Sequence, residues 1–263
     1  MRLAARVAGV GVLGPGLASW SDARRLLVDA GAYEPTPTVI PSPDVLPAVE
    51  RRRAGKCVRL ALAAGLAAAA DAGRNAKDLA AIFTSSTGDG ENLHAICESL
   101  ASDDRMISPT RFHNSVHNAP AGYWGIATGA MHPADCVAAY DASFAAGLLE
   151  AVGRVCADPA LDTLLISYDA PYPEPLLAVR PVAGSFGVGL LLGADEGAKP
   201  GRPIALSTTA ELPTRMEDSR LEVVRHGIPA ARSLPLLALL AAPHAGRVVI
   251  EYLDGLSLAI EVA

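Results

Sequence analysis

Short apolar segments that favour β-strands alternate along the chain with alanine-rich segments that favour helices. The intervals between successive strand segments are long enough for a helix, as in βαβ units whose helices cover both faces of a sheet. We therefore expect an α/β fold with a mostly parallel five-stranded sheet. The five strands are predicted over residues 3–12, 79–84, 134–140, 162–168 and 184–193.

The chain closes with two more strand segments, residues 247–252 and 256–262, on either side of an Asp-Gly pair. Asp-Gly favours the two-residue turn of a β-hairpin. An apolar helical segment precedes this hairpin. We predict one domain over residues 1–211, followed by a short C-terminal helix and β-hairpin over residues 212–263 that pack on the same domain.

Composition limits the classes of function. The chain has 263 residues, 51% of them hydrophobic, and a formal net charge of −6. Disorder is therefore not expected, and the lack of a basic stripe argues against a nucleic-acid partner. Arg6 interrupts the N-terminal apolar stretch and no apolar run reaches about 20 residues, so we expect neither a signal peptide nor membrane insertion. Four separated cysteines without a CxxC motif suit reduced thiols in the cytoplasm.

A family likeness is spread over several segments. They are residues 6–15 with Trp20, the basic entry and alanine-rich helix of residues 51–73, Ser108-Pro109 with Phe112 and Asn114, residues 118–122, and residues 137–151. Together, up to about residue 211, they resemble the N-terminal half of β-ketoacyl synthases of the thiolase superfamily. In that family the last segment is a strand, a sharp turn that bears the catalytic cysteine, and a helix. Within that family, the chain resembles short ketosynthase-like proteins called chain-length factors, from aryl polyene and other fatty-acid-like pathways.

This resemblance implies thiolase-like α/β/α layers, of which the chain would form one half. It also implies a dimer in which the strand before the nucleophile, here residues 134–140, pairs across a two-fold axis. The residues after 211 are too few for the second half, which supplies two catalytic histidines in full ketosynthases. The implied partners are a full-length ketosynthase subunit and an acyl carrier protein, in a homodimer or a heterodimer, and no cofactor is expected.

The nucleophile position falls on Asp141, counting back from Ala151. Condensation needs a thiolate that accepts the acyl chain as a thioester, and a carboxylate cannot form that bond. Asp141 could also simply cap the following helix. Cys136 would be the nucleophile if the alignment were shifted, and is otherwise a small buried residue. The first hypothesis is a non-catalytic, chain-length-factor-like subunit that pairs with an active synthase. The alternative is an acyl-thioester condensing enzyme or acyltransferase in its own right.

Nine residues are candidates for a former pocket or a subunit contact. His113 and His117 have the four-residue spacing of zinc ligands on a helix, as do His132 and Cys136, but prolines interrupt both segments. We therefore expect no metal. The candidates are Phe112, His113, Asn114, His117, Asn118, Tyr140, Asp141, Ser143 and Phe144.

Residues 9–14 match the pattern GxGxxG after a strand, which could indicate a dinucleotide site. Pro15-Gly16 follows at once, where the phosphate-binding helix should already run. No acidic residue ends a second strand about 20 residues further on, as that site requires. A tight strand end explains these glycines better.

Overall fold

The computed structural model describes residues 2–196 and 200–263, which form an eight-stranded sheet with helices on both faces. Its strands are β1 (Leu3–Leu13), β2 (Ala80–Thr84), β3 (Ala134–Val137), β4 (Thr163–Asp169), β5 (Phe186–Gly193), β6 (Arg202–Thr209), β7 (Gly246–Leu253) and β8 (Leu256–Val262). The helices are α1 (Trp20–Val28), α2 (Ala48–Arg53), α3 (Lys56–Asp71), α4 (Gly90–Ala101), α5 (Pro109–Asn114), α6 (Ala119–Thr128), α7 (Ser143–Ala157), α8 (Leu176–Val179), α9 (Ser219–Gly227) and α10 (Leu234–Ala241). Short 3-10 turns lie at Ala30–Ala32, Ala76–Asp78 and Pro229–Ser233.

The strand order is β3-β2-β4-β5-β1-β6-β8-β7. Among the described strands, β2 pairs in parallel with β3 and β4, and the other five pairings are antiparallel. The α/β class is confirmed, but the predictions of five strands and a mostly parallel sheet are wrong. The connection from β4 to β5 holds the four-residue helix α8 in place of a full crossover helix, so β5 returns antiparallel to β4.

Strand β6 and helix α9 were both missed, because that region carries no long periodic pattern. Within β6, Ile204 and Leu206 are buried between more exposed neighbours, a short alternation that could have indicated a strand. β6 pairs with β1 on one side and β8 on the other, so it joins the predicted hairpin, confirmed as β7 and β8, to the main sheet. The division at residue 211 stays a prediction.

Helices cover the two faces of the sheet unequally. On one face, α3 and α6 pack against β1, β2, β4 and β5 in one apolar cluster. On the other, α1, α7, α9 and α10 build a larger cluster that also includes residues of β6, β7 and β8. Helix α7 contacts β3 and β7, the two edge strands, as well as strands between them, so the sheet bends around α7.

Helix α3 approaches the sheet closely where the sheet carries glycines. A Cβ atom would lie 2.4 Å from the Ala68 carbonyl oxygen if added at Gly9, and 2.2 Å from the Ala64 oxygen if added at Gly11. At Gly189 the same Ala64 oxygen would lie 2.5 Å away. Gly9 and Gly11 of the GxGxxG pattern therefore serve the contact between strand and helix.

Candidate functional site

The turn between β3 and α7 carries the predicted nucleophile position. β3 ends at Val137, three residues before the predicted end of the strand. Tyr140 then adopts a left-handed φ of 53°, which is unusual for an aromatic residue. Ser143, at the start of α7, braces this turn: its hydroxyl donates to the Tyr140 carbonyl at 2.6 Å and accepts from the Ala139 amide at 3.0 Å.

Asp141 lies in this turn and binds two arginines. One carboxylate oxygen accepts from Arg180 at 2.7 Å and from the Ser86 hydroxyl at 3.3 Å, and the other accepts from Arg232 at 3.2 Å. The helix cap predicted for Asp141 is wrong, because Ala142 occupies the N-cap and no side chain caps α7. Each oxygen of the Asp141 carboxylate instead binds the guanidinium of an arginine, Arg180 or Arg232.

Arg180 is held on two sides. Its guanidinium lies 3.9 Å from the centre of the Tyr140 ring while it bonds to Asp141. Burial alone would lower the pKa of Arg180, but hydrogen bonds to Asp141 and Tyr172 raise it above its ordinary value. The turn therefore carries a fixed positive group stacked on an exposed aromatic ring.

Asp169, at the end of β4, is a second and fully buried carboxylate near the turn. One of its oxygens accepts from the Ser85 hydroxyl, the Ser86 amide, and both the amide and hydroxyl of Thr87, at 2.8–3.0 Å. The other accepts from the Ala230 amide at 2.8 Å. Burial raises the pKa of Asp169 to about 6, although the hydrogen bonds from Thr87, Ser85 and Ser86 act in the opposite direction. Asp169 thereby fixes the loop that presents Ser86 to Asp141.

Cys136, the alternative nucleophile, is half-buried in β3. Burial, assisted by the negative charge of Asp135, raises the pKa of its thiol to about 11. A catalytic cysteine needs the opposite shift, toward the thiolate. The environment of Cys136 is that of an unreactive thiol.

The other candidates fall into two groups. Asn114, Ser143 and Phe144 are buried, and Asn114 donates to the Arg53 carbonyl at 2.9 Å while it accepts from Tyr123. Their roles are structural. The exposed group comprises Phe112, His113, His117, Asn118 and Tyr140.

The loop between β2 and α4 connects the two regions that hold the exposed candidates. An added Cβ at Gly88 would lie 3.8 Å from the His117 ring, and Ser86 of the same loop contacts Asp141. His117 and the turn that contains Asp141 therefore both lie next to this loop.

Four residues of the site escaped the sequence analysis: Ser86, Asp169, Arg180 and Arg232. Arg180 and Arg232 are 39 and 91 residues from Asp141 along the chain. Neither arginine stands in a pattern that differs from an ordinary surface arginine. Only the fold brings them to the turn.

A cleft of about 570 Å³ opens beside Asp141, between its turn and the β7–β8 hairpin. Tyr140, Leu212 and Leu253 line it, and these three side chains are 67%, 88% and 55% exposed. Arg232 and Glu251 also face this cleft. The nucleophile position is therefore next to an open surface rimmed by large apolar side chains.

Two features are absent from the part of the chain that the structure describes. None of its helices has the length and apolarity needed to cross a membrane. Within residues 2–196 and 200–263, no three His, Cys, Asp or Glu side chains are grouped as metal ligands would be.

Comparison with known proteins identifies the family. The profile of the β-ketoacyl synthase N-terminal domain matches residues 20–245. The chain belongs to this family. No curated protein matches the sequence.

Solved structures of similar size share the fold. A chain of a ketosynthase in complex with its chain length factor, from Xenorhabdus doucetiae, is 23% identical with a TM-score of 0.74, over 98% of this chain and 99% of that one. The ishigamide ketosynthase/chain length factor is 14% identical with a TM-score of 0.70, over 99% of each chain. A type II polyketide synthase acyl carrier protein in complex with its hexaketide-bound ketosynthase includes a chain that is 11% identical, with a TM-score of 0.74 over 100% and 99%. The thiolase-like α/β fold predicted from the sequence is confirmed.

Proposed function

We propose that this chain is a non-catalytic ketosynthase-like subunit of the chain-length-factor kind. It would pair with an active β-ketoacyl-ACP synthase in fatty-acid-like, polyketide or aryl polyene biosynthesis. The observation that carries the proposal is the carboxylate of Asp141, held by Arg180 and Arg232 at the nucleophile position. A carboxylate cannot hold the acyl chain as a thioester, and the carboxylate of Asp141 is already bound by two arginines.

No other thiol supports catalysis at this position. With a pKa of about 11, the Cys136 thiol is ionised in about one molecule in ten thousand at pH 7. Cys57 is fully buried, and burial raises the pKa of its thiol well above the ordinary value. Neither Cys136 nor Cys57 is therefore an activated nucleophile for the alternative of an acyltransferase or condensing enzyme.

The β3 edge supports pairing with a partner. β3 lies at the end of the sheet and bonds to β2 on one side, while Ala134 and Asp135 are exposed. An edge strand presents backbone donors and acceptors that another strand can pair with. Its place directly before the Asp141 turn matches the dimer geometry that the family resemblance implies.

The segment from α4 to β3 exposes further apolar surface. Helix α4 buries only Gly90 among its residues, although Leu93 and Leu100 are large and apolar. A helix that leaves its apolar side chains half in solvent is suited to be covered by another protein. The large apolar side chains exposed in this segment by half or more are Leu93, Leu100, Met106, Phe112, Val116, Ile126 and Met131.

The partner that suits this surface is a full-length ketosynthase. Two solved structures with this fold are named as ketosynthase and chain-length-factor complexes, and a third is named as an acyl carrier protein in complex with its ketosynthase. We extend those partners to this chain as part of the proposal, with a heterodimer as its assembly and the cytoplasm as its compartment.

Co-expression with a full-length ketosynthase from the same gene cluster tests the proposal. We expect a one-to-one complex on size exclusion. After incubation with acyl-carrier-protein thioesters, intact mass should show an acyl adduct on the partner and none on this chain. A chain that stays monomeric and does not co-purify would contradict pairing, and an adduct on any of its cysteines would contradict the non-catalytic role.

A second experiment tests the non-catalytic role with the variant Asp141→Cys. It restores a thiol at the nucleophile position but removes the group that Arg180 and Arg232 bind. We expect no condensation from this variant in isolation, because no histidine is among the described residues that line the cleft beside Asp141. Measurable turnover would show that the site needs only a nucleophile.

A further inference from the structure

Tyr140 combines a strained backbone with an exposed side chain. Its φ of 53° lies in the left-handed region, where a bulky residue has a conformational cost. Its side chain is nevertheless 67% exposed, so the ring contributes little to the core of this chain. Packing within the chain therefore does not explain why a tyrosine is held in this conformation.

The turn around Tyr140 is fixed from both directions. The Ser143 hydroxyl ties the backbone on either side of the residue. On the side-chain face, Asp141 holds the Arg180 guanidinium, which covers the Tyr140 ring at 3.9 Å. The ring and the guanidinium have thus lost most of their side-chain freedom before any partner arrives, which lowers the entropic cost of binding.

Tyrosine and arginine are the residue types that anchor protein interfaces, because they combine large apolar area with polar groups at their ends. Leu212 and Leu253, both more than half exposed, line the same cleft as Tyr140. Such a ring of apolar neighbours excludes water around an anchor. Tyr140 and the two leucines therefore form the apolar part of a cleft that Arg232 and Glu251 also line.

The position of the turn indicates which partner would cover it. Tyr140 follows the last residue of β3 by three positions, so the turn continues the β3 edge. We propose that Tyr140 with its stacked Arg180 is the anchor that the ketosynthase partner buries, and that Asp141 is a positioning residue that holds Arg180 over the ring. This inference rests on the proposed function and names the residues through which pairing occurs.

Binding measurements with the purified ketosynthase test the anchor. Tyr140→Ala should weaken the complex by at least about tenfold, whereas Tyr140→Phe, which keeps the ring, should stay within about threefold. Asp141→Asn should weaken it by about three- to tenfold, because the charge that holds Arg180 is lost. Val223→Ala, at an exposed position on α9, is the matched control and should bind as the unmodified chain does.

Tyr140→Gly separates an interface role from a structural one. Glycine adopts a left-handed φ without steric cost, so the isolated variant should melt at the same temperature or higher. Its affinity for the ketosynthase should nevertheless fall at least as far as that of Tyr140→Ala. A residue with only a structural role would not weaken binding while it stabilised the chain.

The outcomes distinguish this inference from the proposed function. If the unmodified chain binds the ketosynthase and both Tyr140→Ala and Tyr140→Gly bind equally well, the anchor is overturned and the pairing stands. If the unmodified chain forms no complex, both are overturned. Weakened binding by these two variants, with the control unchanged, supports the anchor.

Discussion

Asp169 shows how one buried side chain can organise a site that it does not enter. It is 1% exposed and accepts hydrogen bonds from the loop after β2 and from the turn that contains Ala230. That turn also carries Arg232, and that loop carries Ser86. Both partners therefore reach Asp141 from segments that Asp169 holds in place.

The raised pKa of Asp169 leads to a prediction about pH. Because its folded pKa of about 6 exceeds the unfolded value near 4, the folded state binds the proton more tightly. Its contribution to stability is thus fully present below about pH 4 and is lost as the pH rises through about 6. The stability advantage of the unmodified chain over Asp169→Asn should shrink by on the order of 2 to 3 kcal/mol over that interval and stay constant above about pH 7.

Urea unfolding of both proteins at several pH values measures this difference. The subtraction removes the other acidic groups, which titrate equally in the two proteins. An advantage that grew with pH would show that the hydrogen bonds to the carboxylate outweigh its burial. Asp169→Asn also places an amide against the Ala230 amide, so a constant loss at every pH is expected in addition.

Individual residues of the site could be predicted only where they occupy a place in a linear pattern. Asp141 was found because the resemblance to ketosynthases places it where that family has its catalytic cysteine. Its arginine partners are brought to it by tertiary contacts. The helix cap considered for Asp141 does not form, because ion pairs with two arginines satisfy a carboxylate better than one backbone amide does.

At the scale of elements, α7 shows how closely helix and sheet are matched. An added Cβ at Gly147 would lie 2.1 Å from the Thr84 methyl group and 2.9 Å from Leu165. Gly153, two turns later on the same helix, has nothing within 4 Å of an added Cβ. The two glycines share a helix but differ in what surrounds them.

This contrast predicts opposite effects of one substitution. Gly147→Ala should destabilise the chain by about 1 to 3 kcal/mol, because α7 must move away from the sheet. Gly153→Ala should stabilise it by about 0.5 to 1 kcal/mol, because alanine has the higher helix propensity. Chemical denaturation of the two variants measures both values. Equal effects would mean that the packing of α7 is looser than described.

Strong periodic elements were predicted from the sequence, and weak ones were not. The long helices α3 and α7 and the hairpin follow from sustained patterns and turn residues. β6 shows only a short alternation, and it determines how the hairpin joins the sheet. Strand direction was wrong for the β1–β5 and β4–β5 pairings, because it depends on whether a connection crosses over the sheet or turns back.

In the whole molecule, the C-terminal strands β7 and β8 enclose one side of the larger apolar cluster. Val248, Ile250, Leu258 and Ile260 belong to the same apolar cluster as α7 and β1. The buried Arg225 of α9 supports these strands through an ion pair to Glu251 of β7 at 2.6 Å. These strands cover the face of α7 that β1 to β5 leave open.

Deletion of residues 246–263 should therefore do more than shorten the chain. We expect the truncated protein to lose its cooperative unfolding transition and to bind a hydrophobic dye, because one side of the larger core becomes exposed. Leu253→Ala, at an exposed position near the hairpin turn, should change stability by less than about 0.5 kcal/mol. A truncated protein with a sharp transition at the original midpoint would show that residues 246–263 are a separable unit.

The glycine contact between α3 and the sheet also limits which substitutions the sequence can accept. In the surrounding core, a smaller side chain at one position can be compensated by a larger side chain at a neighbouring position. At Gly9, Gly11 and Gly189 the neighbouring atoms are backbone carbonyl oxygens, which no second substitution can make smaller. In a saturation library these three positions would tolerate no side chain at all, and compensation elsewhere would not rescue them.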